Sequence, residues 1–281
     1  MRYQHSLLAA FALSACLAAP ALAQPAPQND MLNAVLWTQK SVEFKGNALT
    51  AFTLAKLRLD EALHDTGWTA APVEQTNAYH NLPPAIIADV DETLMDNSPY
   101  QAWQAVGNNE FDPKSWTAFV NSGTSLAIPG AVEFLKYAES KGVKIFYVTN
   151  RTAEEEPGTR KNMAALGFPV DPVIDTVLTS REKPDWTSAK STRRAYIAKD
   201  YRVLLLLGDN YGDFTDDYRG TEEQRMASYE ANKWHFGKDW IMIANPQYGS
   251  FESAPFKHDF KMSEDDRRKA KRATLKPWNG K

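Results

Sequence analysis

The sequence predicts an α/β fold: a parallel sheet flanked by helices, with a small insertion after the first strand and helical segments at both ends. Three observations predict it. Short apolar runs alternate with helical patterns through the middle of the chain, as parallel strands buried on both faces require. The unusual polar clusters fall directly after those runs, where ligands bind in open parallel sheets. At 281 residues, 43% of them hydrophobic, the chain can bury a large core.

Residues 1–23, "MRYQHSLLAAFALSACLAAPALA", combine Arg2, an apolar run from Leu7 and the small-residue pattern Ala21-Leu22-Ala23 ahead of Gln24. This reads as an export signal peptide, since the apolar run is too short to span a bilayer. "LSAC" at Leu13 to Cys16 also looks like a bacterial lipobox, which would make Cys16 a lipid anchor. Both readings place the protein outside the cytoplasm, periplasmic or anchored to the outer membrane of a bacterium. Cys16 is the sole cysteine, so no intramolecular disulfide forms. The net charge of −3 becomes −4 once Arg2 is removed, which gives no support to nucleic-acid binding.

Residues 24–281 read as one domain with a core at about 82–251. Met31 to Thr66 carries Leu32, Val35, Leu36, Ala51, Leu54, Leu57 and Leu63 at helical spacing, predicting two helices broken around "EFKGN". Strands are predicted at 85–90, 143–150, 172–179, 201–210 and 240–245, with helices at 130–141, 153–166 and 191–199. Ser98 to Ile128, rich in Trp, Asn and Gly, interrupts the alternation and is expected to be an insertion over the site. In "SEDDRRKAKRATLK", Ser263 is a helix N-cap with acids in the first turn and bases after it. That helix is either a solvated face or a basic surface for a polyanion.

"PPAIIADVDETLMDN" runs an apolar strand into Asp89, Asp91, Glu92 and Asp96. Buried carboxylates repel unless a cation, a proton or water compensates them. Asp89 and Asp91 end the first strand, Thr149 and Asn150 the second, and Asp209, Asn210 and Asp213 the fourth, so all can share one crevice. Such an oxygen-rich set suits Mg²⁺. Lys190, at the start of a helix, is the positive group expected to hold phosphoryl oxygens, with Arg151 as a helper and Lys183 as an alternative. Taken singly, "GDN" is also an ordinary turn and "VTNR" also a helix cap. The five histidines show no metal-ligand spacing.

"DVDETLMDN", "VTNR", "SAKSTRR", "GDNYGDF" and "NPQYGSFE" resemble the haloacid dehalogenase (HAD) superfamily, and within it the bacterial class C acid phosphatases, which include the lipoprotein-e type 5′-nucleotidase. The resemblance runs from about Leu32 to Glu252. It implies an HAD-like Rossmannoid fold and hydrolysis of phosphomonoesters through an aspartyl-phosphate. Asp89 is then the nucleophile and Asp91 the acid and base. Thr149, with Asn150 beside it, and Lys190 hold the phosphate, and Asp89, the Asp91 carbonyl and Asp209 hold Mg²⁺, with Asp213 a ligand through water or an orienter of Lys190. Phosphotransfer to another acceptor and a catalytically silent storage or binding protein on the same fold are the competing readings.

Since the family hydrolyses nucleotides, Trp116 in the insertion and Tyr248 beyond the fifth strand are the expected clamp for a nucleobase. Packing of these rings onto the core is the structural alternative. A homodimer through the N-terminal helices or the segment after Phe251 is compatible with the sequence.

Overall fold

The computed structural model describes residues 29–280 apart from residue 77. The expected leader, Cys16 included, lies outside the described residues. Helices α1 (Leu32–Lys40) and α2 (Val42–His64) come first. The break between them falls at Ser41 and not in "EFKGN", because the Ser41 hydroxyl accepts from the Phe44 N–H at 3.0 Å and caps α2. Gly46 sits inside α2 in open space, where it lowers helix propensity without making a turn.

Strand β1 (Pro84–Ala88) leads into the insertion, which is a two-residue ribbon of β2 (Met95–Asp96) and β3 (Leu126–Ala127) enclosing α3 (Ser98–Gly107) and α4 (Pro113–Ser122). Then come α5 (Ala131–Ser140), β4 (Lys144–Thr152), α6 (Glu156–Leu166), β5 (Val177–Ser180), α7 (Ser191–Ala198) and β6 (Arg202–Gly208). Helix α8 (Glu222–Asn232), which the sequence reading did not anticipate, starts from a Thr221–Gln224 capping box. The chain continues through β7 (Trp240–Met242), α9 (Ser250–Ser253) and α10 (Glu264–Thr274), the last capped by Ser263 as expected.

The main sheet has the order β5-β4-β1-β6-β7 and every pairing in it is parallel, so β1 lies at the centre between β4 and β6. Two apolar layers sandwich it. Phe44, Phe52 and Leu59 of α2 join Phe134 and Leu135 of α5 on one face; Ile197 of α7 joins Phe146, Trp186 and Trp240 on the other. The continuous burial of β6 explains its Leu-rich run.

Three expected strands differ from the structure, one of them β7, which stops at Met242 instead of residue 245. Residues 172–176 do not extend β5, because the Asp171 carboxylate accepts from the Val173 and Ile174 N–H groups at 2.8 and 2.7 Å and turns the chain outward, leaving Val173 exposed. Strand β4 runs past residue 150 to Thr152, with an irregularity between Val148 and Thr152 where it leaves its pairing with β5. Thr149 and Asn150 are therefore strand residues, as the expected strand at 143–150 has them, and not the helix cap that "VTNR" also allowed.

Leu59 is fully buried in the layer between α2 and the sheet. Leu59→Ala is expected to lower unfolding free energy by about 2–5 kcal/mol in urea titration. A loss near zero would mean that the N-terminal helices do not share the sheet's core.

Candidate active site

The polar residues at the carboxyl ends of β1, β4, β6 and β7 meet at one cavity of about 850 Å³. Asp89, Asp91, Asn150, Lys190, Asp209 and Asp213 line it, with Trp116 and Tyr248 further out. Thr149 lies just behind, fully buried.

Carboxylate oxygens of Asp89, Asp209 and Asp213 lie within 4.8 Å of one another. The Lys190 ammonium donates to Asp89 and to Asp213, the latter at 2.7 Å. Burial would by itself lower the Lys190 pKa, but Asp213 and Asp89 outweigh it and hold the ammonium above its ordinary value. Burial pushes Asp89 up to about 6, with Lys190 opposing and Asp213 and Asp91 adding to the rise. Asp209 rises well above the usual carboxylate range through burial and the neighbouring Asp213 and Asp89. An acid whose pKa is raised by folding favours the folded state at low pH, and for Asp89 that contribution is lost as pH rises from its ordinary value of 3.8 to about 6.

The Thr93 hydroxyl stands 3.2 Å from Asp89 Oδ2 and 2.9 Å from Asp209 Oδ1, and its one proton can serve only one of them at a time. Asn245 Nδ2 donates to Asp209 Oδ2 at 2.9 Å. Three carboxylates, Asp89 and Asp213 buried and Asp209 half-buried, set against one adjacent ammonium form a donor set that suits a hard divalent cation. Asp89 and Asp209 fit best as direct ligands. Asp213 is committed to Lys190 and, through Oδ2, to the Asn210 N–H at 2.9 Å, which suits the role of orienting the lysine.

Asp91 is held from one side. Its Oδ1 accepts from Asn97 Nδ2 at 2.7 Å and from Arg151 at 2.7–2.9 Å, while Oδ2 has only Thr149 Oγ1 at 3.4 Å. Arg151, expected as a phosphate helper, is instead a fully buried support for Asp91. Lys183 does not approach the carboxylates; its ammonium lies over the rings of Trp186 and Tyr196, at 4.3 and 3.8 Å from their centroids. The Asn150 side chain accepts from Arg193 and donates to the Ser188 carbonyl at 3.1 Å, so it ties the Lys190 loop to β4.

Sequence reasoning gave no role to Arg193 or Asn97 and counted Glu92 only as one of four clustered carboxylates. Glu92 adopts a left-handed backbone (φ 58°), unusual for a non-glycine residue, and turns its buried carboxyl onto the Asn97 N–H and the Tyr248 hydroxyl. Burial, together with Asp91 and Asp209, holds that carboxyl well above its ordinary range. Buried Arg193 donates to the Thr149 carbonyl and to Thr187, joining β4 to the Lys190 loop. The only signal for it was its place in "SAKSTRR".

A model of the HAD superfamily, subfamily IIIB (acid phosphatase), matches residues 13–251, most of the chain. The chain belongs to this family. Among solved structures, the class C acid phosphatase from Bacillus anthracis, also seen with tungstate bound, superposes on this acid phosphatase family member with a TM-score of 0.78. Identity is 32%, over 89% of this chain and 98% of that one. The Stem 31 kDa glycoprotein of Glycine max is 27% identical over 154 residues, 52% of this chain and 57% of its own length. Acid phosphatase 1 of Solanum lycopersicum is 28% identical over 159 residues, 56% and 61% of the two lengths. The chain thus spans little more than half the length of the curated relatives it matches.

One backbone position controls the family member's charge cluster. A Cβ at Gly208, the last residue of β6, would overlap the Asp213 side chain, with Asp213 Cγ only 2.6 Å away. Gly208→Ala is therefore expected to push Asp213 off Lys190 and to lower stability by about 1–3 kcal/mol, read from urea unfolding. Unchanged stability would show that Asp213 can move without loss.

Proposed function

We propose that the protein is a Mg²⁺-dependent phosphomonoesterase that hydrolyses nucleoside 5′-monophosphates and other phosphomonoesters through an aspartyl-phosphate. The observation that carries this reading is the buried Asp89–Lys190–Asp213 arrangement beside an Asp91 whose Oδ2 is left nearly unpartnered.

An Asp89 carboxylate oxygen attacks phosphorus as the ester P–O bond breaks, and Asp91, through Oδ2, gives its proton to the leaving oxygen. Asp91 then takes a proton from water, and the resulting hydroxide attacks phosphorus. The bond to Asp89 breaks, releasing inorganic phosphate and restoring the Asp89 carboxylate, with Asp91 again protonated for the next turnover. Lys190 offsets the charge of the phosphoryl oxygens, and Arg151 and Asn97 keep Asp91 in one orientation. Mg²⁺, when held by Asp89, Asp209 and the Asp91 carbonyl, would neutralise the carboxylates and polarise the phosphoryl group. A silent storage protein would have no use for this pairing of nucleophile and acid.

Asp89→Asn removes nucleophile and metal ligand together and is expected to lower kcat/KM for p-nitrophenyl phosphate by several decades; chelation of divalent ions should do the same to the wild type. Residual turnover within about tenfold of wild type in the variant would reject the assignment.

The nucleotide reading is supported by the two rings at the outer wall. Trp116 is held edge-on by Tyr100 at 5.2 Å between centroids and lies 5.7 Å from the Arg151 guanidinium. The Tyr248 ring is tethered through its hydroxyl to Glu92. Base stacking is worth about 1–3 kcal/mol and tolerates any base. Trp116→Ala or Tyr248→Ala should raise KM for nucleoside 5′-monophosphates by roughly tenfold, and more than for p-nitrophenyl phosphate. Unchanged nucleotide KM in both would leave a general phosphomonoesterase.

Export is supported by the arrangement of residues 1–23, and among the described residues no helix is long and apolar enough to cross a membrane. Mass spectrometry of the protein from its native host is expected to find a chain that begins at Gln24 or at acylated Cys16. A mature chain retaining residues 1–15 would overturn export.

A further inference from the structure

The cavity extends well beyond the carboxylates. Its far wall is α10, which contributes Arg267, Arg268 and Lys271, and the rim between is closed by residues 29–31 and by residues 108–111 after α3. At about 850 Å³ the cavity is near the upper end of ordinary ligand sites, roughly 300–1,000 Å³, and is far larger than a phosphoryl group needs. Helix α10 also lies beyond the residues that match the family model, which end at 251.

The three cations on that wall are not equivalent. Arg268 is paired with Asp30 at 3.1 Å, and Lys271 with Glu252 at 2.9 Å and Asp30 at 3.5 Å. Arg267 forms no ion pair among the described residues. Glu264, one helical turn earlier and also on the cavity wall, does not pair with it. The Arg267 Nε is shielded from solvent and has no hydrogen-bond acceptor. Nε is out of a ligand's reach; the two terminal nitrogens have no hydrogen-bond or ion-pair partner among the described residues either, and two parallel N–H groups of that kind suit a phosphate.

We infer that Arg267 forms a subsite for a second phosphate on the substrate, remote from the phosphate that is hydrolysed, so that the enzyme favours phosphomonoesters of the nucleoside bisphosphate class over those with one charged group. The salt bridges of Arg268 and Lys271 to Asp30 and Glu252 fix α10 at the wall and act as positioning contacts. This inference rests on the proposed phosphomonoesterase reading.

The test compares adenosine 3′,5′-bisphosphate, adenosine 5′-monophosphate and p-nitrophenyl phosphate with wild type, Arg267→Gln and Arg267→Lys. The ratio of kcat/KM for the bisphosphate to that for the monophosphate is expected to fall about tenfold in Arg267→Gln, mainly through KM, and to recover in part in Arg267→Lys, which keeps the charge. A ratio unchanged within twofold in Arg267→Gln would overturn the subsite. Calorimetric titration gives a readout independent of turnover: in the Asp89→Asn background, Arg267→Gln should weaken bisphosphate binding about tenfold relative to the monophosphate, and equal weakening of both would also overturn it. If wild type hydrolyses none of the three, the proposed function fails, and the titration alone decides the subsite.

Discussion

Like charges held together out of water are the constraint on which this structure depends. Asp89 and Asp209 end adjacent central strands, and Asp213 is folded back toward them by a short 3-10 turn after β6. Each alone would be costly at such depth. Much of the surrounding architecture limits that cost. Gly208 lets Asp213 come close, Thr93 and Asn245 supply donors, and Lys190 is brought in from α7 to stand between two of the three. What these contacts leave uncompensated is a negative site of the size and chemistry that a hard cation fills.

Lys190 needs support of its own, because it comes from the end of a long connection. That connection is fastened at several points. Arg193 reaches the Thr149 and Thr187 carbonyls, Asn150 bonds the Ser188 carbonyl, and Arg219 reaches the Ser188 hydroxyl. Arg194 pairs with Glu74 from the opposite side of α7. The ammonium is thereby held before any ligand arrives, which reduces what binding must spend on ordering it.

The sheet and the residues at its strand ends were legible because each follows a rule of position. An apolar run buried on both faces can be read from β1, β4 and β6, and a carboxylate directly after such a run has few purely structural reasons to be there. The break before α2 was misplaced because Gly46 is a louder signal in sequence than Ser41, although only Ser41 makes the cap. The false start of β5 has the same origin, since Asp171 outweighs the apolar character of the residues it turns. The roles of Arg193 and Glu92 could not be read, because they depend on partners far away in the chain, Thr149 for one and Tyr248 for the other. The basic tail had two plausible readings, a solvated helix and a polyanion surface, and neither foresaw that α10 would wall the cavity.

That wall has a consequence for how the protein can diverge. At the strand ends almost every side chain serves two partners, so the effects of paired substitutions there should be strongly non-additive and most single changes closed to drift. Helix α10 touches the cavity from outside this mesh and is attached by a few surface ion pairs. Changes along it are therefore expected to add to changes at the centre nearly independently. Selectivity can therefore wander from one relative to the next while the reaction stays fixed, and comparison of α10 among relatives would be more informative about substrates than comparison of the carboxylates.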